Sequence, residues 1–320
     1  MNALHNQWFD LINDISDHTV LKLSDKLFKD LTTIKTLLSS FAYVDSKPYL
    51  HYRLFYLSKE DQDYIAKVKE DQSIQIEKKL HKRRIRLDLS YDGTLYQGFQ
   101  RQPHKETIQD QLEQCLTHLC QETILTHPAS RTDKGVHAYH QVVHFDTTSS
   151  LSLSTLHQEL NRMINQDIHI FKIQEVPQLF HARYDVLKKT YAYHITTEKN
   201  PFEAHYKLWV KDFNSQEAEK ILSKLKGVHD FKHFAKAHKS QNTIKEIENI
   251  HIKNHQNDSI IYITGKGFLR HMVRMIMGHL FYELKHKKGT FFKAINDSDG
   301  NHQKHLAEAQ ALYLIETLYE

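Results

Sequence analysis

The sequence predicts an α+β protein: two similar α/β halves sharing a mostly antiparallel central sheet with flanking helices, preceded by a mainly helical N-terminal extension. Three observations predict it. Runs with a period of two alternate with amphipathic runs of period 3.6, but without the strict succession of a doubly wound parallel sheet. The first 92 residues contain no glycine, and all nine glycines follow. Residues 1–80 carry 11 Lys+Arg and 12 Asp+Glu, whereas the remainder carries 32 and 27. The last two observations set residues 1–82 apart as a module. The core divides into 83–185 and 186–320, because a second series of elements starts near Val186.

In the extension, Leu23, Leu27, Leu31, Ile34 and Leu38 recur every three to four residues and mark one helix face. Ser58 and Asp61 resemble a capping box at the start of another helix. The aromatic-rich "KPYLHYRLFYL" between them reads as a strand or an extended packing arm. The basic joint "KKLHKRR" (Lys78–Arg84) reads equally as a solvated linker or an RNA-contacting stretch.

From Ile85 the pattern changes. "IRLDLSY" is a half-buried strand, and "DGTLYQGFQRQ" a turn and loop. "TIQDQLEQCLTHLCQE" is a helix with Thr107 and Asp110 at capping positions and Ile108, Leu112, Cys115 and Leu119 on its core face. Strand "YHQVVHFDT", helix "SLSTLHQELNRMIN" and strand "DIHIFKIQEV" follow. The second series runs as strand "VLKKTYAYHIT", helix "NSQEAEKILSKLKG", strands "TIKEIENIHIKN" and "SIIYITGKG", and a long helix "FLRHMVRMIMGHLFYELKHKKG" closed by Gly289. The final "QKHLAEAQALYLIETLYE" reads as a helix, or a helix followed by a strand.

The totals bound the function. No apolar run approaches the roughly 20 residues that span a bilayer, and the N-terminus lacks the pattern of a secretion signal. Cys115 and Cys120 lie five apart in a helix, on different faces, which disfavours a disulfide and fits a reducing cytoplasm. A net charge of +4 and a pI of about 8.7 point only weakly to nucleic acid. The 25 histidines are scattered, which reads as composition.

Several stretches carry candidate chemistry. Asp88 and Asp92 are four apart, the wrong spacing for an aspartyl phosphatase with Mg²⁺, and Asp92-Gly93 reads as a turn. His137, His140 and His144 lack a Cys or carboxylate to complete a zinc set, so no metal is expected. "GKGF" (Gly265–Phe268) reads as a tight strand-to-helix turn. Arg270 and Arg274 lie four apart on an otherwise apolar helix, so each needs a carboxylate or phosphate partner. In "SRTDKGVHA" (Ser130–Ala138), Asp133 sits between Arg131 and Lys134, and Gly135 permits an unusual backbone turn. By spacing alone this is either a charged surface turn or a catalytic loop.

Read together and in order, "YDGTLYQGFQRQ", "SRTDKGVHA", "LNRMINQDI", "FHARYDVLKKTYAY", "HDFKHF" and "FLRHMVR" resemble the tRNA pseudouridine synthase A family over Arg83 to Glu320. The resemblance implies conversion of uridine to pseudouridine at positions 38, 39 and 40 in the tRNA anticodon arm. It implies no cofactor and no metal, a homodimer, and a cytoplasmic enzyme without membrane contact. Asp133 is then the nucleophile, Tyr191 the platform for the uracil ring and a base for the C5 proton, and Arg274 the partner of Asp133. Arg131, Gly135 and His137 support the loop. Arg101, Lys134, Arg183, Lys188 and Lys189 are the expected RNA contacts.

The chain departs from the family pattern at Ser130 (for glycine), Lys134 (for alanine), Phe99 (for tryptophan), Asn165 (for proline) and Lys245 (for arginine). Its C-terminal "AEAQALYLIETLY" lacks the usual proline and glycine. The competing reading is a non-catalytic tRNA-binding or tRNA-chaperone protein that keeps the fold. The presence of Asp133, Tyr191 and Arg274 argues against it.

Overall fold

The computed structural model describes residues 82–178, 180–236, 242–289, 291 and 304–319. The helices and aromatic stretch expected in the N-terminal extension, and most of the basic joint, lie outside these residues. The last three cations of that joint lie inside, and two of them, Arg83 and Arg84, are engaged by carboxylates. Arg83 pairs with Glu175 at 2.8 Å, and Arg84 makes a two-pronged bridge to Asp146 at 2.6 and 2.7 Å.

The elements run β1 (Arg83–Tyr91), α1 (Ile108–Cys120), β2 (His127–Pro128), β3 (His137–Thr147), α2 (Leu153–Met163), β4 (Ile168–Val176), β5 (Lys188–Thr196), β6 (Leu208–Trp209), α3 (Ser215–Leu222), β7 (Gly227–Asp230), β8 (Ile244–Ile247), β9 (Asn249–His255), β10 (Asp258–Gly265), α4 (Met272–His286) and β11 (Leu312–Leu318). Seven strands form the main path of one sheet in the order β4-β1-β3-β11-β5-β10-β9, with β2 beside β3 and β6 beside β5. Along that path only β3 with β11 is parallel. The fold is therefore mixed α and β around a largely antiparallel sheet. Strands β7 and β8 form a separate two-stranded ribbon.

Local chemistry accounts for most elements. Thr107 caps α1 by accepting from the Asp110 backbone N–H at 3.2 Å, and Ser152 caps α2 through Thr155 at 3.0 Å. Helix α1 buries Ile108, Leu112, Leu116 and Cys120, a strict four-residue spacing. The expected Cys115 and Leu119 are only partly buried at the margin of the same core. On β1 the side chains of Ile85, Leu87 and Leu89 are fully buried against this core. Asp88, on the opposite face, is buried too. It is held by the Arg86 guanidinium at 2.6 and 2.7 Å and by His140 at 3.0 Å, which offsets the cost of burying a carboxylate.

Three expectations change. Helix α4 starts at Met272, because His271 takes a left-handed conformation (φ 63°) that stops the helix from extending back to Arg270. Arg270 is therefore exposed in the preceding turn and does not share a helical face with Arg274. Helix α4 also ends before Gly289, with Lys287 in the left-handed C-cap at φ 51°. The C-terminal segment forms no helix among the described residues 304–319. It turns at 309–311 and enters the sheet as β11 between β3 and β5, where Leu312, Tyr313 and Leu314 are buried. The Ala, Leu and Glu that favour helix locally are overridden by ladder pairing on both edges.

Candidate active site

The loop Ser130–Val136 joins β2 to β3. Its side chains alternate: Ser130 and Thr132 turn inward, while Arg131 is exposed and Asp133 is partly so. The Thr132 hydroxyl shares a 2.8 Å hydrogen bond with the phenol of Tyr91 at the end of β1. The Ser130 hydroxyl shares one of 2.7 Å with the phenol of Tyr191 on β5. Beneath them, the fully buried Gln141 clamps the Ser130 backbone from both sides. Its Oε1 accepts from the Ser130 N–H at 3.2 Å, and its Nε2 donates to the Ser130 carbonyl at 2.8 Å. The Val136 N–H closes a turn onto the Asp133 carbonyl at 3.1 Å, and Gly135 sits at φ 77° as that turn requires.

Arg274, in the first turn of α4, donates from Nη1 to Asp133 Oδ2 at 3.0 Å, across 141 residues of sequence. Its Nε donates to the Ala307 carbonyl at 2.9 Å, and the Ala307 N–H returns a bond to the Arg274 carbonyl at 3.0 Å. The guanidinium is thus aimed by the strand of backbone that leads to β11. His271 places Nε2 3.4 Å from the other carboxylate oxygen, Oδ1. Burial holds the His271 imidazole below the usual histidine range. The Asp133 charge opposes this, and Arg270, Arg274 and Lys236 reinforce it. Asp133 keeps 24% of its side chain exposed, so the carboxylate is oriented by the Arg274 guanidinium yet open on one side.

Tyr191 is 6% exposed, and its ring meets Phe268 edge-on at 5.1 Å. Burial pushes its phenol up to about 12. The Ser130 hydrogen bond opposes that rise, and the Asp133 charge adds to it. Near neutral pH Tyr191 is therefore a protonated phenol. A carboxylate held by a guanidinium, beside a largely buried aromatic ring, suits attack on a flipped-out base.

The family profile described as tRNA pseudouridine synthase matches residues 89–185 and 221–320. The chain belongs to the tRNA pseudouridine synthase family. The tRNA pseudouridine synthase A of Borrelia turicatae (strain 91E135) is 34% identical over 244 residues, covering 74% of this chain and 100% of that protein. That of Mycoplasmoides gallisepticum is 35% identical over 244 residues, covering 74% and 91%. That of Aster yellows witches'-broom phytoplasma (strain AYWB) is 36% identical over 203 residues, covering 63% and 84%. Among solved structures, the archaeal box H/ACA sRNP Nop10-Cbf5 complex aligns at TM-score 0.31 and 9% identity, over 71% of this chain and 46% of that one, which is too low to bear on the fold.

In this family member the three residues expected to do the chemistry, Asp133, Tyr191 and Arg274, converge from the β2–β3 loop, β5 and α4. His137 does not reach them. It is buried, its Nδ1 accepts from the Gly93 N–H at 3.1 Å, and its Nε2 faces the His205 and Gln310 carbonyls at 3.1 and 3.0 Å. It braces the base of the loop. His140 pairs with Asp88 and His144 accepts from the Ala182 N–H at 3.1 Å, so the three histidines serve separate contacts. Among the described residues no group of three or more His, Cys, Asp or Glu is placed to hold a metal.

The expected RNA contacts divide. Arg183 and Lys134 are exposed, and Lys188 is partly so. Arg131 lies near Arg183. Desolvation, then that neighbouring charge, holds the Arg131 guanidinium below the usual arginine range. Two arginines brought together beside the loop favour an anion between them. Arg101 is half exposed but pairs with Glu113 at 2.8 Å. Lys189 is 7% exposed, and its ammonium donates to the Ala129 carbonyl beneath the loop, so it does not present its charge to a ligand at the surface. His271 and Phe268 were not singled out from sequence. Both lie within "FLRHMVR", but no spacing rule foretells that a left-handed residue turns its imidazole towards a carboxylate.

Proposed function

We propose that this chain isomerises uridine to pseudouridine in the anticodon arm of tRNA, at positions 38–40, with Asp133 as the nucleophile. The observation that carries the reading is the 3.0 Å Arg274–Asp133 contact beside the Tyr191 ring. The carboxylate attacks the flipped nucleotide at ribose C1′ or uracil C6. The N1–C1′ bond breaks, the base rotates and a C5–C1′ bond forms, and the bond from Asp133 to C1′ or C6 breaks in turn to free the carboxylate. The C5 proton then leaves, and N1 ends protonated, so no cofactor is consumed. Arg274 keeps the carboxylate aimed, and Arg131 with Arg183 steers the phosphate backbone. With its phenol protonated at neutral pH, Tyr191 serves first as a platform. It takes the C5 proton only as a phenolate, after its own proton has passed to solvent, a form that a partner stabilising the charged oxygen makes accessible.

The same reading holds that the enzyme is a cytoplasmic homodimer and that its core consists of two similar halves, 83–185 and 186–320. The strand succession supports the second point. β1-α1-β3-α2-β4 and β5-α3-β10-α4-β11 each place the first strand between the other two, and the triplets meet at β3 and β11. Among the described residues no helix is long and apolar enough to cross a membrane.

The test is to incubate the protein with unmodified tRNA transcripts and map pseudouridine, with Asp133→Ala in parallel. Product at 38–40 from the wild type and none from the variant is expected. No product from the wild type across a full tRNA set overturns the activity, and undiminished product from Asp133→Ala overturns the nucleophile.

A further inference from the structure

We propose that Ser130 is a positioning residue for Tyr191, and that its hydroxyl is the group that stabilises the Tyr191 oxygen during proton transfer. This rests on the reading of Asp133 and Tyr191 just given. The Ser130 Oγ lies 2.7 Å from the Tyr191 Oη, and the tyrosine is buried apart from 6% of its surface.

The loop backbone offers no substitute at this point. Both polar backbone groups of Ser130 are consumed by Gln141, its N–H at 3.2 Å and its carbonyl at 2.8 Å. A glycine here would be clamped in the same way but would have nothing to extend to the phenol. The serine hydroxyl can rotate, accepting from Tyr191 while it is a phenol and donating to the phenolate once the phenol proton has passed to solvent; the phenolate then takes the C5 proton and is a phenol again. The charged group acting on Tyr191 is Asp133, which opposes the charged oxygen, and Phe268 offers only an aromatic ring at 5.1 Å. Ser130 is therefore the contact that favours the charged oxygen. Thr132 makes the equivalent bond to Tyr91 two residues further on, at 2.8 Å. Tyr91 has no part in the proposed chemistry, so Thr132 is an internal control for the anchoring of the loop.

The experiment places fluorotyrosine at position 191 and follows its titration by fluorine NMR in the free protein, with steady-state kinetics on tRNA alongside. Ser130→Ala and Ser130→Gly are expected to raise the Tyr191 transition and to lower kcat roughly three- to tenfold, with KM changed by less than about twofold. Ser130→Thr, which keeps a hydroxyl, restores both. Thr132→Val leaves the Tyr191 transition in place. An unmoved transition together with wild-type kcat in Ser130→Ala overturns the proposal. So does a Thr132→Val variant that shifts Tyr191 equally, because the effect would then be general loosening of the loop. The titration needs no turnover, so an inactive wild type would sink the functional reading while leaving the Ser130 contact separately measured.

Discussion

The connections into β3 and into β10 belong to the same sheet but are held to different extents. β9 passes to β10 through Gln256 and Asn257 alone, with Gln256 at φ 53°. That turn is tied at one place, just past the end of β5, where the Asn257 carbonyl accepts from the Thr197 N–H at 2.9 Å and the Asn257 side chain donates to Glu198 at 2.9 Å. β2 passes to β3 through eight residues that carry Asp133, and this loop is held by groups far from it in sequence: Tyr91, Gln141, Tyr191 and the turn around Gly98. The difference shows what a chemical loop requires. A two-residue turn is held by a single adjoining segment, whereas a longer one keeps a single geometry only if buried polar groups from several parts of the scaffold take up its backbone and hydroxyls.

The strongest way to break this contrast is at Arg274. Arg274→Ala removes both the charge on Asp133 and the tie to Ala307, and should lower kcat about 100-fold or more in a single-turnover tRNA assay. Next is the clamp. Gln141→Leu leaves the Ser130 N–H and carbonyl without their buried partner, and should cost about 2–4 kcal/mol in urea unfolding. Third is Gly98, which sits at φ 102°, with an added Cβ 2.8 Å from the Thr132 carbonyl oxygen. Gly98→Ala should cost about 1–3 kcal/mol and lower activity by displacing the loop. Gly227→Ala, at φ 97° but with nothing within 4 Å of the new Cβ, should cost about 1 kcal/mol and leave activity alone.

Lys189 sharpens the contrast through pH. Burial pushes its ammonium down to about 7, and the Arg183 charge adds to this. The folded value lies below the unfolded one of about 10.4, so between them the unfolded chain binds the extra proton and stability rises with pH. Lys189→Met should flatten that rise between about pH 7 and 10, measured as the difference in unfolding free energy between variant and wild type. Smallest is the tight turn: Gln256→Gly should change stability by less than about 1 kcal/mol and leave pseudouridine formation unchanged.

Much of this was readable from residues a few positions apart. Thr107 with Asp110 and Ser152 with Thr155 are contacts between neighbours, and the alternation in "IRLDLSY" and "SIIYITGKG" follows from the pleat. Lys189 could have been placed by the same parity, since it shares a strand face with the buried Tyr191 and Tyr193. Reading it as an RNA contact weighted its charge above its position. The catalytic loop was legible only through its resemblance to a family, because an arginine, an aspartate and a lysine around a glycine describe a surface turn equally well.

By itself, then, the sequence determined the N-caps of α1 and α2, most strands, part of the apolar faces and the need for a left-handed residue at Gly135, all of which depend on interactions within about one turn or one pleat. Only the tertiary structure decided that the helix-prone C-terminus becomes the strand joining β3 to β5, that Arg274 and His271 grip the two oxygens of Asp133, and that Ser130 reaches Tyr191. Each of these depends on which strands lie side by side. Sheet order is set by the joint burial of the whole core, which no local window of sequence contains.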